Sequence, residues 1–107
     1  DQICQRANGR DFDCGHIAKT ALMDLTAGGA VKCTPVEQNA TCIVADCHVD
    51  GFGLSQNMVH TGWAISTASK FKRVQENAKR KRHGLWKGRF DVPAVWRGRM
   101  NLDRGKR

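Results

Sequence analysis

Three groups of side chains in this chain have the types that do chemistry: five cysteines with four histidines, a pair of close aspartates, and a dense run of lysine and arginine. Cys33, Cys42, the adjacent pair Cys47-His48 and His16 are all zinc-ligand types, but their spacing forms no paired knuckle of the kind a tetrahedral zinc site uses. Asp11 and Asp13 could touch a cation from one loop, yet a hard metal wants six or more oxygens and the neighbouring residues do not supply them. Nucleophilic work by Cys42 would need an adjacent base and a lowered thiol pKa, and a buried free thiol in a strand is the plainer expectation. Five cysteines in 107 residues point instead to disulfides and hence to an oxidising compartment.

The charge is unevenly placed. Up to Ser69 there are 4 Lys+Arg against 7 Asp+Glu, a balance of −3; from Lys70 onward there are 14 against 3, a balance of +11, and together they make the net +8. Long-range attraction of this size concentrates polyanions, so nucleic acid, acidic polysaccharide and anionic membrane surfaces enter as partner classes. The residues expected to carry such contacts are Lys70, Lys72, Arg73, Lys79, Arg80, Arg82, Lys87, Arg89 and Arg97. The competing expectation is a solvated helix face with a basic tail. No apolar run approaches the roughly 20 residues of a membrane span, and the first residues lack the pattern of a signal peptide, so any export signal is expected to have been removed.

These side chains need a scaffold, and the pattern gives a coarse one. Residues 1–12 read as a loop around the turn Asn8-Gly9, bracketed by Cys4 and Cys14. Asp13 is a good N-cap for a first helix with Ile17, Ala18, Ala21, Leu22 and Leu25 on one face, stopped by Gly28-Gly29. Residues 30–36 and 41–49 predict two strands of an antiparallel hairpin, with Pro35, Glu37, Gln38 and Asn39 interrupting them as a connection would. A turn at 50–53 leads to a short second helix with Leu54, Met58, Val59 and Trp63 on one face. A third, basic helix is expected from Ser66 or Thr67 to His83, with Phe71, Val74 and Ala78 inward and Gly84 as its stop. Leu85 to Trp96 is expected to be anchored and the end to fray, giving a domain over 1–97 and a basic tail over 98–107. An isolated two-stranded ribbon is marginal in water, so further strands are expected to complete the sheet.

Several motifs carry a resemblance: Cys14-Gly15 with Ala18 and Leu22, Met58-Val59 with Gly62-Trp63-Ala64, Glu76-Asn77-Ala78-Lys79, and the run from Gly84-Leu85-Trp86 through Phe90 and Pro93 to Trp96-Arg97. In these residues the chain resembles the thermonuclease (staphylococcal nuclease-like) family, nearest its cysteine-containing exported bacterial branch, some of whose members are linked to succinoglycan biosynthesis. The resemblance implies an α+β fold: an OB-fold barrel, incomplete here with its two C-terminal strands retained, and three α-helices. The first three strands would precede Asp1. It also implies a Cys4–Cys14 disulfide, and it puts Trp63 and Trp86 at core positions rather than as stacking platforms; Trp96 stays open between the two roles. Cys33 and Cys47 lie in facing strands where a cross-strand bond is feasible, with Cys33–Cys42 as the competing pairing.

The family's chemistry is calcium-assisted phosphodiester hydrolysis, with aspartates on the metal, a glutamate on the water and two arginines on the phosphate. The metal ligands, the glutamate and the first arginine belong to strands that precede Asp1. The second arginine belongs to a DRYGR motif that falls on Gln38-Asn39-Ala40-Thr41-Cys42, so Cys42, or Ala40 in a gapped register, replaces it. No arginine occurs between Arg10 and Arg73. The chain is therefore expected to be a catalytically inactive, nuclease-like module, periplasmic or secreted, that binds nucleic acid or acidic polysaccharide without catalytic residues or cofactor of its own. The alternative is a fragment of a calcium-dependent nuclease. An open sheet edge also makes a homodimer by strand pairing an expectation.

Overall fold

The computed structural model describes residues 2–67 and 69–105, with side chains described as far as Asn101. Its class is α+β, built from two small sheets and four α-helices among the described residues: β1 (Cys4–Gln5), β2 (Asp11–Phe12), α1 (Cys14–Thr26), β3 (Lys32–Gln38), β4 (Ile43–Val49), β5 (Phe52–Gly53), α2 (Leu54–His60), α3 (Lys72–Arg80) and α4 (Pro93–Gly105). Two 3-10 turns, Ser69–Phe71 and Gly84–Lys87, precede α3 and follow it. The described strands do not close into a barrel.

The N-terminal segment is more ordered than a loop. β1 and β2 pair antiparallel, with Cys4 opposite Phe12, and Gln5 also exchanges backbone hydrogen bonds with Arg89, both 2.8 Å. The Cys4–Cys14 disulfide, with Cα atoms 5.7 Å apart, ties this ribbon to the first residue of α1. Both cysteines are nearly inaccessible, and with Leu85 they form a small core onto which Phe12, Trp63 and Phe90 pack. Asp13 caps α1 by accepting the His16 N–H at 3.3 Å, which accounts for that aspartate without a metal. Replacing Cys4 and Cys14 together by serine should lower unfolding free energy by about 3 kcal/mol, read by urea denaturation, from the loop entropy returned to the unfolded chain.

The hairpin is shifted from its expected position by two residues, because the connection is Asn39–Cys42 rather than the stretch around Pro35. Asn39 closes that connection by accepting from the Thr41 N–H at 2.9 Å. Pro35 lies within β3, opposite Ala45, and a bulge follows at Val36. A proline is tolerated there for a geometric reason. Cys33 faces Cys47 at a Cα separation of 4.0 Å, the close spacing of a non-hydrogen-bonded pair, so the position two residues on also directs its nitrogen away from β4. The free edge of β3 consequently lacks a donor at Pro35, which works against pairing a second copy along it.

The second disulfide joins Cys33 to Cys47. Cys42 is free and exposed in the hairpin connection rather than buried in a strand. The competing pairing is ruled out by distance along the ribbon: Gln38 and Ile43 close the hairpin, and Cys33 lies five residues further down β3, roughly 16 Å away at strand rise. Iodoacetamide applied to the folded protein without reductant should modify one cysteine, Cys42, as read by peptide mass spectrometry.

α2 buries Leu54, Met58 and Val59 where it packs against β4 and α3, and Val49 and Ala78 are buried alongside. Every residue of β3 is exposed, and β4 is open at Ile43 and Val44. The apolar side chains Leu22, Val36, Val44, Leu54, Met58 and Phe71 therefore border an open trough of about 640 Å³. The third expected helix is split, its first turn being 3-10 and its α-helical part beginning at Lys72. A fourth helix also forms where a tail was expected: Pro93 suits the first helical position, since it has no N–H to leave unpaired, and the Asp91–Arg99 ion pair at 2.8 Å ties its first turns to the preceding segment. Residues 106 and 107 of the expected tail lie outside the described residues. No described helix is long and apolar enough to cross a membrane.

Candidate polyanion-binding surface

The basic surface begins with how α3 is held. At 100° per residue, Lys72, Arg73, Glu76, Lys79 and Arg80 occupy an arc of about 120°, opposite Val74 and Ala78. Ala78 is fully buried and Val74 half-buried, while Lys72, Arg73, Lys79 and Arg80 are exposed. The helix thus docks by its small apolar side and presents its cations to water. Lys79 and Arg80 stand in the last turn, where the exposed carbonyls favour positive charge.

α2 and α3 end the same way, and this sets where the cations after α3 go. In α2 the Trp63 N–H reaches the Met58 carbonyl at 3.0 Å and the Gly62 N–H the Val59 carbonyl at 3.1 Å; in α3 the His83 N–H reaches Ala78 at 2.9 Å and the Arg82 N–H reaches Lys79 at 3.1 Å. Both are Schellman caps, whose turning residue takes a left-handed conformation. In α2 that residue is Gly62 (φ 81°); in α3 it is Arg82 (φ 55°), an arginine where glycine would be unstrained. The Leu85 N–H then donates to the Gly62 carbonyl at 2.9 Å, so the two caps are clasped together.

The nine expected contact residues do not form one uniform group. Lys70 is tied to Asp46 at 3.0 Å, and Lys79 lies 3.5 Å from Glu76 and sits over the Trp86 ring at 4.9 Å. Arg80 donates to the Asn77 side chain at 3.0 Å. Lys72, Arg73, Arg82, Lys87, Arg89 and Arg97 are exposed and make no ion pair among the described residues. Lys72 and Arg73 lie on α3, Arg82 in its cap, Lys87 and Arg89 in and after the second 3-10 turn, and Arg97 on α4. The pairing of Lys70 with Asp46 was not legible in the sequence, because it joins a strand to a turn 24 residues away.

The tryptophans divide as well. Trp63 packs on the disulfide core, whereas Trp86 is half-buried with Phe90 edge-on to it at 5.0 Å. Its indole Nε1 is buried and finds no hydrogen-bond acceptor among the described residues.

No three His, Cys, Asp or Glu side chains among the described residues are grouped so as to hold a metal ion. A calcium ion wants six to eight oxygens, so these residues do not fit that cofactor and no step through it follows from them. The two disulfides agree with an oxidising environment. Compared with protein families, with curated proteins and with solved structures, the chain has no match.

Proposed function

We propose that the chain is a catalytically inactive, exported module of thermonuclease-like descent that binds a polyanion, nucleic acid or acidic polysaccharide, through the ridge made by α3 and its cap. The observation that carries this reading is the set Lys72 and Arg73 on α3 and Arg82 in its cap: exposed, and without ion-pair partners among the described residues. Cations left unpaired on one helix face are available to displace the counterions of a polyanion, and that displacement supplies most non-specific affinity.

An incomplete OB-type barrel is the fold that accords with the open trough. Apolar residues exposed on both the hairpin and α1 are what a barrel wall presents when its facing strands are not in place. In the same reading Cys42, or Ala40 in a gapped register, occupies the position of a phosphate-binding arginine, which argues against hydrolysis, and a link to exopolysaccharide biosynthesis follows the branch the sequence resembles. Mobility shift of duplex DNA and of an acidic polysaccharide, repeated across salt concentrations, tests it: salt-sensitive retardation of at least one is expected, and absent or salt-insensitive binding to both would sink the reading.

A further inference from the structure

The two disulfides sit in opposite surroundings. Cys4 and Cys14 are 3% and 2% exposed and belong to the core that Leu85, Phe12, Trp63 and Phe90 complete, so a reductant reaches that bond only by opening the core. Cys33 is exposed and Cys47 half-buried. Attack on a disulfide needs access to one of its sulfurs, and the exposed Cys33 offers it. The strand that carries Cys33 is also lightly held. No residue of β3 is buried, so burial contributes little to keeping it in place, and its register on β4 is interrupted by the bulge at Val36. Strand pairing of that kind is marginal in water on its own. The bond between Cys33 and Cys47, 14 residues apart, is a tether that limits how far an opened β3 can wander.

We propose that Cys33–Cys47 is a reducible lock on β3, opened by a dithiol reductant while Cys4–Cys14 keeps the core closed. A thiolate of the reductant attacks the Cys33 sulfur, the S–S bond breaks, and the Cys47 thiolate leaves and takes a proton from water. The reductant's second thiolate then displaces Cys33 from the mixed disulfide, and Cys33 is protonated in turn. Two electrons and two protons pass to the protein, and the reductant is left as a disulfide. Cys42 cannot be the attacking group, because it lies at the hairpin connection, roughly 16 Å along the ribbon from Cys33. In the reduced state β3 separates from β4, and the apolar trough loses the wall that Val36 and Glu37 give it. α2 keeps its place, since it packs on β4 and α3. The lock therefore acts on the trough and leaves the basic ridge of α3 as it is.

The test uses the full chain carrying Cys42→Ser, at an exposed position, so that no free thiol can shuffle the bonds. Dithiothreitol is raised stepwise under native conditions, and the thiols released are alkylated and located by peptide mass spectrometry. Cys33 and Cys47 are expected to react at a concentration about tenfold or more below that needed for Cys4 and Cys14. Hydrogen exchange then reads the lock itself. Cys33 and Cys47 form a non-hydrogen-bonded pair, so the next pair, Thr34 and Asp46, exchanges both ladder hydrogen bonds. Protection of the Thr34 and Asp46 amides should fall about a hundredfold on reduction, the factor that closing a loop of this length contributes, while the amides of α3 hold theirs. Cys33→Ser/Cys47→Ser should show the same loss with no reductant present. Opening of both bonds together, or of Cys4–Cys14 first, would overturn the proposal. So would selective reduction that left Thr34 and Asp46 protection within about twofold of its starting value.

Discussion

Replacing Lys72, Arg73, Arg80 and Arg82 together by glutamine is expected to reduce affinity for duplex DNA on the order of a thousandfold at roughly 0.1 M salt. The size follows from counterion release. Four phosphate contacts contribute about 3.6 to the slope of log K against log salt, at about 0.9 per contact, and that difference accumulates as salt falls from the molar range. The four side chains lie on the water side of α3 and in its cap, so the fold should survive the change. Fluorescence anisotropy of a labelled duplex measures both quantities. An equal loss of affinity with an unchanged slope would mean that the cations act through folding and not through contact.

The second large effect concerns backbone rather than charge. Gly62→Ala should destabilise the protein by about 4 kcal/mol or more, most of the stability of a domain at the low end of the ordinary range of about 5–15 kcal/mol. A Cβ at Gly62 would collide with the His83 carbonyl, and one at Gly84 would fall 2.6 Å from the carbonyl of Gly62. Both residues also have positive φ, 81° and 55°, which L side chains resist. The collision cannot be relieved by a rotamer change, because main chain meets main chain at the clasp between the two helix caps. Gly28→Ala is the matched control: its Cβ would meet nothing within 4 Å, and the substitution should be neutral or mildly stabilising. Urea denaturation monitored by tryptophan fluorescence reads both variants. Because the clasp fixes the end of α3, Gly62→Ala should also scatter the cations of the cap.

What could be read from the sequence was what local pattern dictates. The Asp13 cap, the 3.6-residue period of α1, the short α2 and the buried face of α3 with Val74 and Ala78 are each written within a dozen residues. Of the two observed bonds, Cys4–Cys14 is the one the resemblance implied, and Cys33–Cys47 is one of the two pairings the hairpin left open. The misplaced hairpin turn has a clear cause. Pro35 reads as punctuation, but at a position whose nitrogen points away from the neighbouring strand a proline costs nothing, and only the register reveals that. α4 was missed because Gly98 and its scattered charges dilute the helical period; Pro93 at the first helical position was the available signal. The β1–β2 ribbon depends on contacts with Arg89 far along the chain, which no local window contains.

The basic surface was legible in kind but not in detail. Composition places the positive charge in the last third of the chain, and helical spacing puts four of those cations, Lys72, Arg73, Lys79 and Arg80, on one face. It does not say that Lys70 is engaged by Asp46, or that Lys79 is laid over Trp86, because both partners arrive through tertiary packing. Arg82 in a left-handed cap is likewise visible only in three dimensions. The unpaired set that remains is smaller than the charge count suggests, and it is this smaller set that the binding reading rests on.

The most direct test of that reading is the salt dependence of DNA and acidic-polysaccharide binding by the unmodified chain, followed by anisotropy with calcium present and the nucleic acid recovered afterward. Binding that weakens linearly in log salt, with a slope near −3.6 on duplex DNA if about four contacts form, and nucleic acid recovered uncut, is the predicted result. Salt-independent binding, no binding to either polymer, or cleavage of the DNA would contradict it.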